Sequence, residues 1–171
     1  MGYWPLAEKV LREADIILLV GDARMPLLSR NKEIERKSAL LKKPLLYIFN
    51  KIDLLSDDAL SETKLNDKEA FFVSATKNIG IREVRKHLQI MTKKLKIKDP
   101  RIGVVGYPNV GKSAVINALA RRAKTEIADM PGTTKGVQWV KAGGLDILDS
   151  PGVIPYEDKS MNLVLIGSKS P

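Results

Sequence analysis

Gly106, Gly111, Lys112 and Ser113 stand at the spacing GxxxxGK[ST], within RIGVVGYPNVGKS at residues 101–113. A strand-sized apolar run precedes them and a helical segment follows, the context in which such a loop cradles phosphates. The glycines let the backbone N–H groups of Asn109, Val110, Gly111, Lys112, Ser113 and Ala114 close around an anion at a helix N-terminus. Lys112 would neutralise β- and γ-phosphate oxygens in binding and in catalysis, and the Ser113 hydroxyl would ligate Mg²⁺. Further on, DSPG at residues 149–152 ends the run LDILD. The Asp149 carboxylate at that strand end can reach Mg²⁺, usually through water, and the Gly152 N–H can face a γ-phosphate. Between the two motifs lies PGTT, where Thr134 would complete the Mg²⁺ shell and close its loop over the γ-phosphate.

A second cluster selects the base. Asn50, Lys51 and Asp53 form NKxD directly after the apolar run PLLYIFN. The Asp53 carboxylate can accept from both N1–H and the exocyclic amine of guanine, which adenine does not offer in that arrangement. A site built around that acceptor leaves it unpaired when the wrong base enters. Lys51 would lie along the purine face. Ser74, Ala75 and Thr76 follow another strand-like run, AFFVS, and the Ala75 backbone N–H would donate to guanine O6. The ligands expected from these motifs are GTP and GDP with Mg²⁺; an ATP-dependent kinase or ATPase is disfavoured by NKID.

The elements that position these residues are legible from periodicity. Ala7, Val10, Leu11 and Ala14 form a helical stripe, and the solid apolar run IILLV at residues 16–20 follows it. A charged amphipathic stretch near residues 30–42, the strand PLLYIFN, a polar segment near 57–67 and the strand AFFVS continue the alternation. Ile81, Val84, Leu88, Met91 and Leu95 mark one face of a helix whose other face carries Arg82, Arg85, Lys86, Lys93 and Lys94. His87, the only histidine, is read there as a solvated helix residue. Strand RIGVVG, a helix over 114–123, a mobile loop KTEIADMPGTTKG and two strands, VQWVK and LDILD, complete the chain. Solid apolar strands alternating with helices predict a three-layer α/β fold with a mostly parallel sheet.

The motifs occur in the order base, SAT, phosphate loop, PGTT, DSPG, whereas a P-loop GTPase normally begins at its phosphate loop. One rotation interconverts the two orders, so residues 1–171 are predicted to be one circularly permuted GTPase domain whose site still assembles at the carboxyl edge of the sheet. The new ends fall between DSPG and IILLV, and the segment that senses the γ-phosphate runs on toward the carboxyl terminus.

With DARMP at residues 22–26, GYPNVGKS, PGTTKG and DSPGV, the chain resembles the circularly permuted GTPases of the YlqF/YawG ribosome-assembly group over nearly its whole length. The resemblance implies GTP hydrolysis coupled to binding a pre-ribosomal subunit through rRNA. It also implies a helical carboxyl-terminal domain, which is absent before Pro171, so the chain is read as a piece of a longer protein. Members of the group often begin with a Trp-Phe-Pro-Gly-His-like stretch whose His has been considered for catalysis; this chain has Tyr3, Trp4, Pro5 and Leu6. Where many GTPases hold the attacking water with a Gln after DxxG, this chain has Val153, which cannot orient water. Resemblance to members with Asn in GxPNxGKS makes Asn109 a candidate K⁺ ligand, the ion acting as an arginine finger would. A slow intrinsic GTPase, stimulated by the ribosomal subunit and by K⁺, is therefore expected.

Composition sets the frame. The chain of 171 residues is 44% hydrophobic and carries 29 Lys and Arg against 20 Asp and Glu, for a net charge of +9. That size suits one domain, and the charge suits an acidic partner such as rRNA. With no Cys, a disulfide framework and a thiolate metal site are excluded. No apolar run is long enough for a bilayer and no signal peptide is visible, so a cytoplasmic monomer without membrane attachment is expected. The second function class is a nucleotide-gated RNA-binding module with incidental hydrolysis, supported by KHLQIMTKKLKIK and RRAK.

Overall fold

Solid apolar strands fed by amphipathic helices build a layered sheet in the computed structural model, which describes residues 4–66, 69–121, 125–126, 138–150 and 152. Helix α1 (Trp4–Glu13) buries Trp4, Ala7, Val10 and Leu11 along one stripe and leads into β1 (Ile16–Asp22), which is buried throughout. The short α2 (Pro26–Ser29) starts on a proline, whose fixed φ suits a first helical turn. Then come α3 (Lys32–Leu40), capped by the Asn31 side chain accepting from the Ile34 N–H, and β2 (Leu45–Asn50). A 3₁₀ turn (Ile52–Leu54), α4 (Asp57–Asn66), β3 (Phe71–Phe72) and α5 (Ile81–Lys94) complete the first half. The second half contains β4 (Arg101–Gly106), α6 (Lys112–Ala120), β5 (Thr125–Glu126), β6 (Gln138–Ala142) and β7 (Leu145–Asp149).

Among the described residues the sheet has seven strands in the order β3-β2-β1-β4-β7-β6-β5. It is parallel from β3 to β7, and β6 and β5 are antiparallel. The period-two alternation of β1 divides the core. Ile16, Leu18 and Val20 meet Val84 and Leu88 of α5 and Val115 and Leu119 of α6 on one face. Ile17 and Leu19 meet Ala7, Val10 and Leu11 of α1 and Ile34 of α3 on the other. Both faces are thus covered, as a parallel sheet requires.

Several local expectations change. The polar segment near 57–67 is helix α4, which fully buries none of its side chains and only rests Leu60 against Phe49 and its neighbours. Ser56 initiates it, its hydroxyl accepting from the Ala59 N–H at 3.3 Å, and Asp57 and Asp58 complement the N-terminal dipole. The strand expected over AFFVS pairs as a ladder only at Phe71–Phe72, although the Val73 N–H still donates to Phe49 O. The segment expected to be a mobile loop includes strand β5, paired with β6; residues 127–137 lie outside the described residues. The helix after the phosphate loop begins two residues early, at Lys112, because Gly111 serves as its N-cap, and it ends at Ala120.

Two residues of α5 leave the solvated face assigned to them. Arg85 turns inward and donates to the carbonyl of Leu119, tying α5 to α6. His87 is half-buried, its ring packed on Phe71 with centroids 5.2 Å apart. The tilted pair covers part of the imidazole that helical periodicity alone would leave in water. At the amino terminus Trp4 is buried, with the Lys37 ammonium over its ring at 5.2 Å, so it serves the core. No helix among the described residues is long and apolar enough to cross a membrane.

Candidate nucleotide site

Strands β1 and β4 lie side by side, and the two halves of the chain extend outward from that seam in opposite directions. Such a reversal opens a crevice beyond the carboxyl ends of the strands, where open parallel sheets take ligands. The loop after β4 carries the phosphate motif, the loops after β2 and β3 carry the base motifs, and β7 ends on Asp149.

On the phosphate side, Gly111 sits at φ +93° and Asn109 at φ +64°, left-handed positions of the kind with which a loop can turn successive N–H groups toward an anion. Lys112 is only 8% exposed. Its Nζ donates to Tyr107 O at 2.7 Å, so the loop itself provides the buried ammonium with a partner. Burial pushes the Lys112 pKa down to about 8, against the pull of the Asp149 carboxylate. Burial likewise raises the Asp149 carboxyl, with Lys112 and a hydrogen bond from Ser113 opposing it. Ser113 Oγ donates to Asp149 Oδ2 at 3.4 Å, bringing the two expected Mg²⁺ ligands together from motifs 36 positions apart. Gly152 lies against the same loop. A Cβ there would stand 2.5 Å from Pro108 N and Cα, so any larger residue would push DSPG off the phosphate loop.

On the base side, Asn50 is buried and cross-links three motifs. Its Nδ2 donates to Val110 O at 3.2 Å, and its Oδ1 accepts from the Ala75 N–H at 3.0 Å. The Ala75 N–H, expected to face guanine O6, therefore already has a partner within the protein. A buried amide must be satisfied, and Asn50 does so across the strand pair. Ser74 Oγ donates to Asp53 Oδ1 at 2.7 Å and lies 3.4 Å from Thr76 Oγ1. Ser74 thereby fixes the Asp53 carboxylate, which is exposed and open to a ligand on its other oxygen. Lys51, at φ +73°, sends its Nζ to Asn109 O at 2.6 Å and stands 3.4 Å from Asp22 Oδ2.

Asn50, Lys51, Asp53, Ser74, Ala75, Thr76, Asn109, Val110, Gly111, Lys112, Ser113, Asp149 and Gly152 thus gather along one sheet edge, with Ala114 in the first turn of α6. Thr134 and Val153 lie outside the described residues. Sequence reasoning assigned no role to Asp22, the first residue of DARMP, which is fully buried at the end of β1 and opposite Asn50 in the strand register. Burial alone would raise its carboxyl, but hydrogen bonds from the Arg24 guanidinium and N–H and the charge of Lys51 hold it below the ordinary carboxylate range. An acid ending a solid apolar strand was the available signal.

Known proteins resemble this chain in sequence and fold. The family described as 50S ribosome-binding GTPase matches residues 101–168. An uncharacterized GTP-binding protein of Methanocaldococcus jannaschii is 39% identical over 95% of this chain and 44% of its own length. Ribosome biogenesis GTPase A of Bacillus cereus is 32% identical over 91% of this chain and 57% of its own. The chain therefore spans about half the length of these relatives. GNP-bound YlqF from T. maritima shares the fold with a TM-score of 0.60 at 24% identity, over 97% of this chain and 66% of that one. With its base motif ahead of its phosphate loop, and both on one edge of a sheet of this order, the chain fits the circularly permuted, YlqF-like group of P-loop GTPase domains.

Proposed function

We propose that this domain binds guanine nucleotides, hydrolyses GTP to GDP and phosphate slowly on its own, and works as a ribosome-assembly factor docking on a pre-ribosomal subunit. The observation that carries the reading is the Asn50 cross-link, through which the base-selecting and phosphate-binding loops form one site. The ribosomal partner rests on the names of the relatives. The paired hydroxyl and carboxylate of Ser113 and Asp149 are hard oxygen donors that suit Mg²⁺, with Thr134 as a further ligand. When bound, the ion would offset charge on the phosphate oxygens. Lys112, displaced from Tyr107 O, would pair with those oxygens, and the Gly152 N–H would face the γ-phosphate. Desolvated and held near the loop, that ammonium is poised for an anion.

Val153 donates no hydrogen bond to water, so stabilisation of the transition state must come from elsewhere, and Asn109 is the residue that would hold K⁺ beside the phosphates. Exchanging KCl for NaCl at constant ionic strength should lower single-turnover GTP hydrolysis while leaving GDP affinity nearly unchanged, because the benefit develops with charge in the transition state. Asn109→Ala should abolish that difference, and ribosomal subunits should raise the rate in K⁺. Equal rates in both salts would remove K⁺ from the mechanism; no turnover with or without subunits would remove the enzyme.

A specific surface favours RNA as the docking partner. Arg82, Lys86, Lys93, Lys94, Lys96 and Lys98 are all exposed along α5 and the turn after it. If they meet phosphates, log affinity for rRNA should fall steeply with log salt. Neutralising Lys93 and Lys94 should then reduce that slope by about one unit each or slightly less. A titration in which both variants keep the parental slope would return these charges to ordinary solvated surface.

A further inference from the structure

DARMP, so far only a family mark, is wound tightly around one carboxylate. The Asp22 N–H donates to Ser29 Oγ at 2.9 Å, and that buried hydroxyl lies 3.3 Å from both Asp22 O and Pro26 O. The turn from β1 into α2 is thereby closed on itself, with the Asp22 main chain held at its base. Its Oδ1 accepts from Arg24 N at 2.9 Å and Arg24 Nε at 3.0 Å, and its Oδ2 accepts from Arg24 Nη2 at 2.7 Å. The free side of Oδ2 faces Lys51 Nζ at 3.4 Å. Beyond Lys51 stands Asn109 O, in the phosphate loop.

We propose that Asp22 is a positioning residue for guanine-nucleotide binding that acts through Lys51, holding its ammonium over the Asn109 carbonyl so that the lysine stem is already laid out as the surface for the purine. The inference rests on reading this edge as a guanine-nucleotide site. A lysine has four rotatable side-chain bonds and loses much of its rotamer freedom when fixed. An ammonium anchored between a buried carboxylate and a loop carbonyl has lost that freedom before the ligand arrives, so the ligand does not bear the cost. Arg24 keeps the carboxylate ionised and aimed, while its own guanidinium remains 42% exposed at the rim. The same chain of contacts links the base half of the site to the phosphate half, in parallel with Asn50.

The test is a double-mutant cycle in mant-GDP affinity on Asp22→Asn, Lys51→Met and the double variant, with nucleotide-free melting recorded for each. Asp22→Asn should weaken mant-GDP about tenfold, and in the Lys51→Met background it should add no more than about twofold, because the group through which it acts is gone. Parental affinity in Asp22→Asn, or losses that multiply in the double variant, would overturn the proposal while leaving the nucleotide site standing. A parent that binds no mant-GDP would overturn both. Should Asp22→Asn fail to fold, the pair is read from its other side by ¹³C titration of the Asp22 carboxyl. Its midpoint should move to higher pH in Lys51→Met than in the parent, and an unmoved midpoint would overturn the proposal.

Discussion

Asp53→Asn is expected to weaken GDP and GTP by about 2–4 kcal/mol, roughly 30- to 1000-fold, with little change in nucleotide-free stability. The geometry around Ser74 explains why so small a change should cost so much. Ser74 Oγ donates to Asp53 Oδ1 at 2.7 Å, and an asparagine would keep that contact by presenting its own oxygen to the hydroxyl. Its amide nitrogen would then point where the carboxylate had offered its second oxygen. Guanine brings two donors to that place, so a donor would oppose a donor. Xanthine presents a carbonyl in place of the exocyclic amine, and its nucleotides should bind the variant better than the parent. The side chain is exposed, so folding has little to lose. Competition of GDP and XDP against a fluorescent guanine nucleotide measures both arms, and equal GDP affinity in variant and parent would remove Asp53 from the site.

Gly111→Ala should damage the site strongly for the addition of a single methyl group. At φ +93° any other residue is strained by about 1–2 kcal/mol. The added Cβ would also stand 2.4 Å from Asn50 Nδ2, closer than any real contact. Asn50 would have to leave, breaking its bonds to Val110 O and the Ala75 N–H and exposing buried polar groups at about 1–3 kcal/mol more. The variant should therefore melt well below the parent without nucleotide and bind GDP about a hundredfold more weakly. Asn50→Ala separates the two causes. With the amide removed, the methyl group has room, and the further loss from Gly111→Ala should shrink to about the left-handed strain alone. An unreduced further loss in that background would mean that the methyl group acts elsewhere in the phosphate loop.

Residues close in sequence accounted for much of this protein. GxxxxGKS, NKID, SAT and DSPG each carry their chemistry within a few positions, because a strand end, a tight turn and a helix start are local structures. The alternation of solid apolar strands with amphipathic helices was enough for a parallel α/β sheet, and the order of the motifs was enough for the permutation. Helix α4 escaped because it fully buries no side chain, so periodicity had little of an apolar face to report. His87 and Arg85 left the solvated face for a similar reason: a side chain on a helix flank chooses between water and a neighbour that only packing supplies.

What the tertiary structure alone decided is how the motifs hold one another. Asn50 and Val110 are sixty positions apart in the chain, and their contact exists because β1 sits between β2 and β4 and brings both loops to one edge. The pairing of Ser113 with Asp149, the seat of Gly152 on Pro108, and the reach of Lys51 to Asn109 O arise in the same way. Asp22 combines a local contribution with a tertiary one. As a letter in DARMP it is a surface-type residue at the end of a strand, yet the fold buries it completely and places three donors of Arg24 and the Lys51 ammonium around it. Arg24, two positions on, is supplied by the local turn, but the Lys51 ammonium reaches that buried carboxylate only because the sheet order sets the end of β1 beside the end of β2.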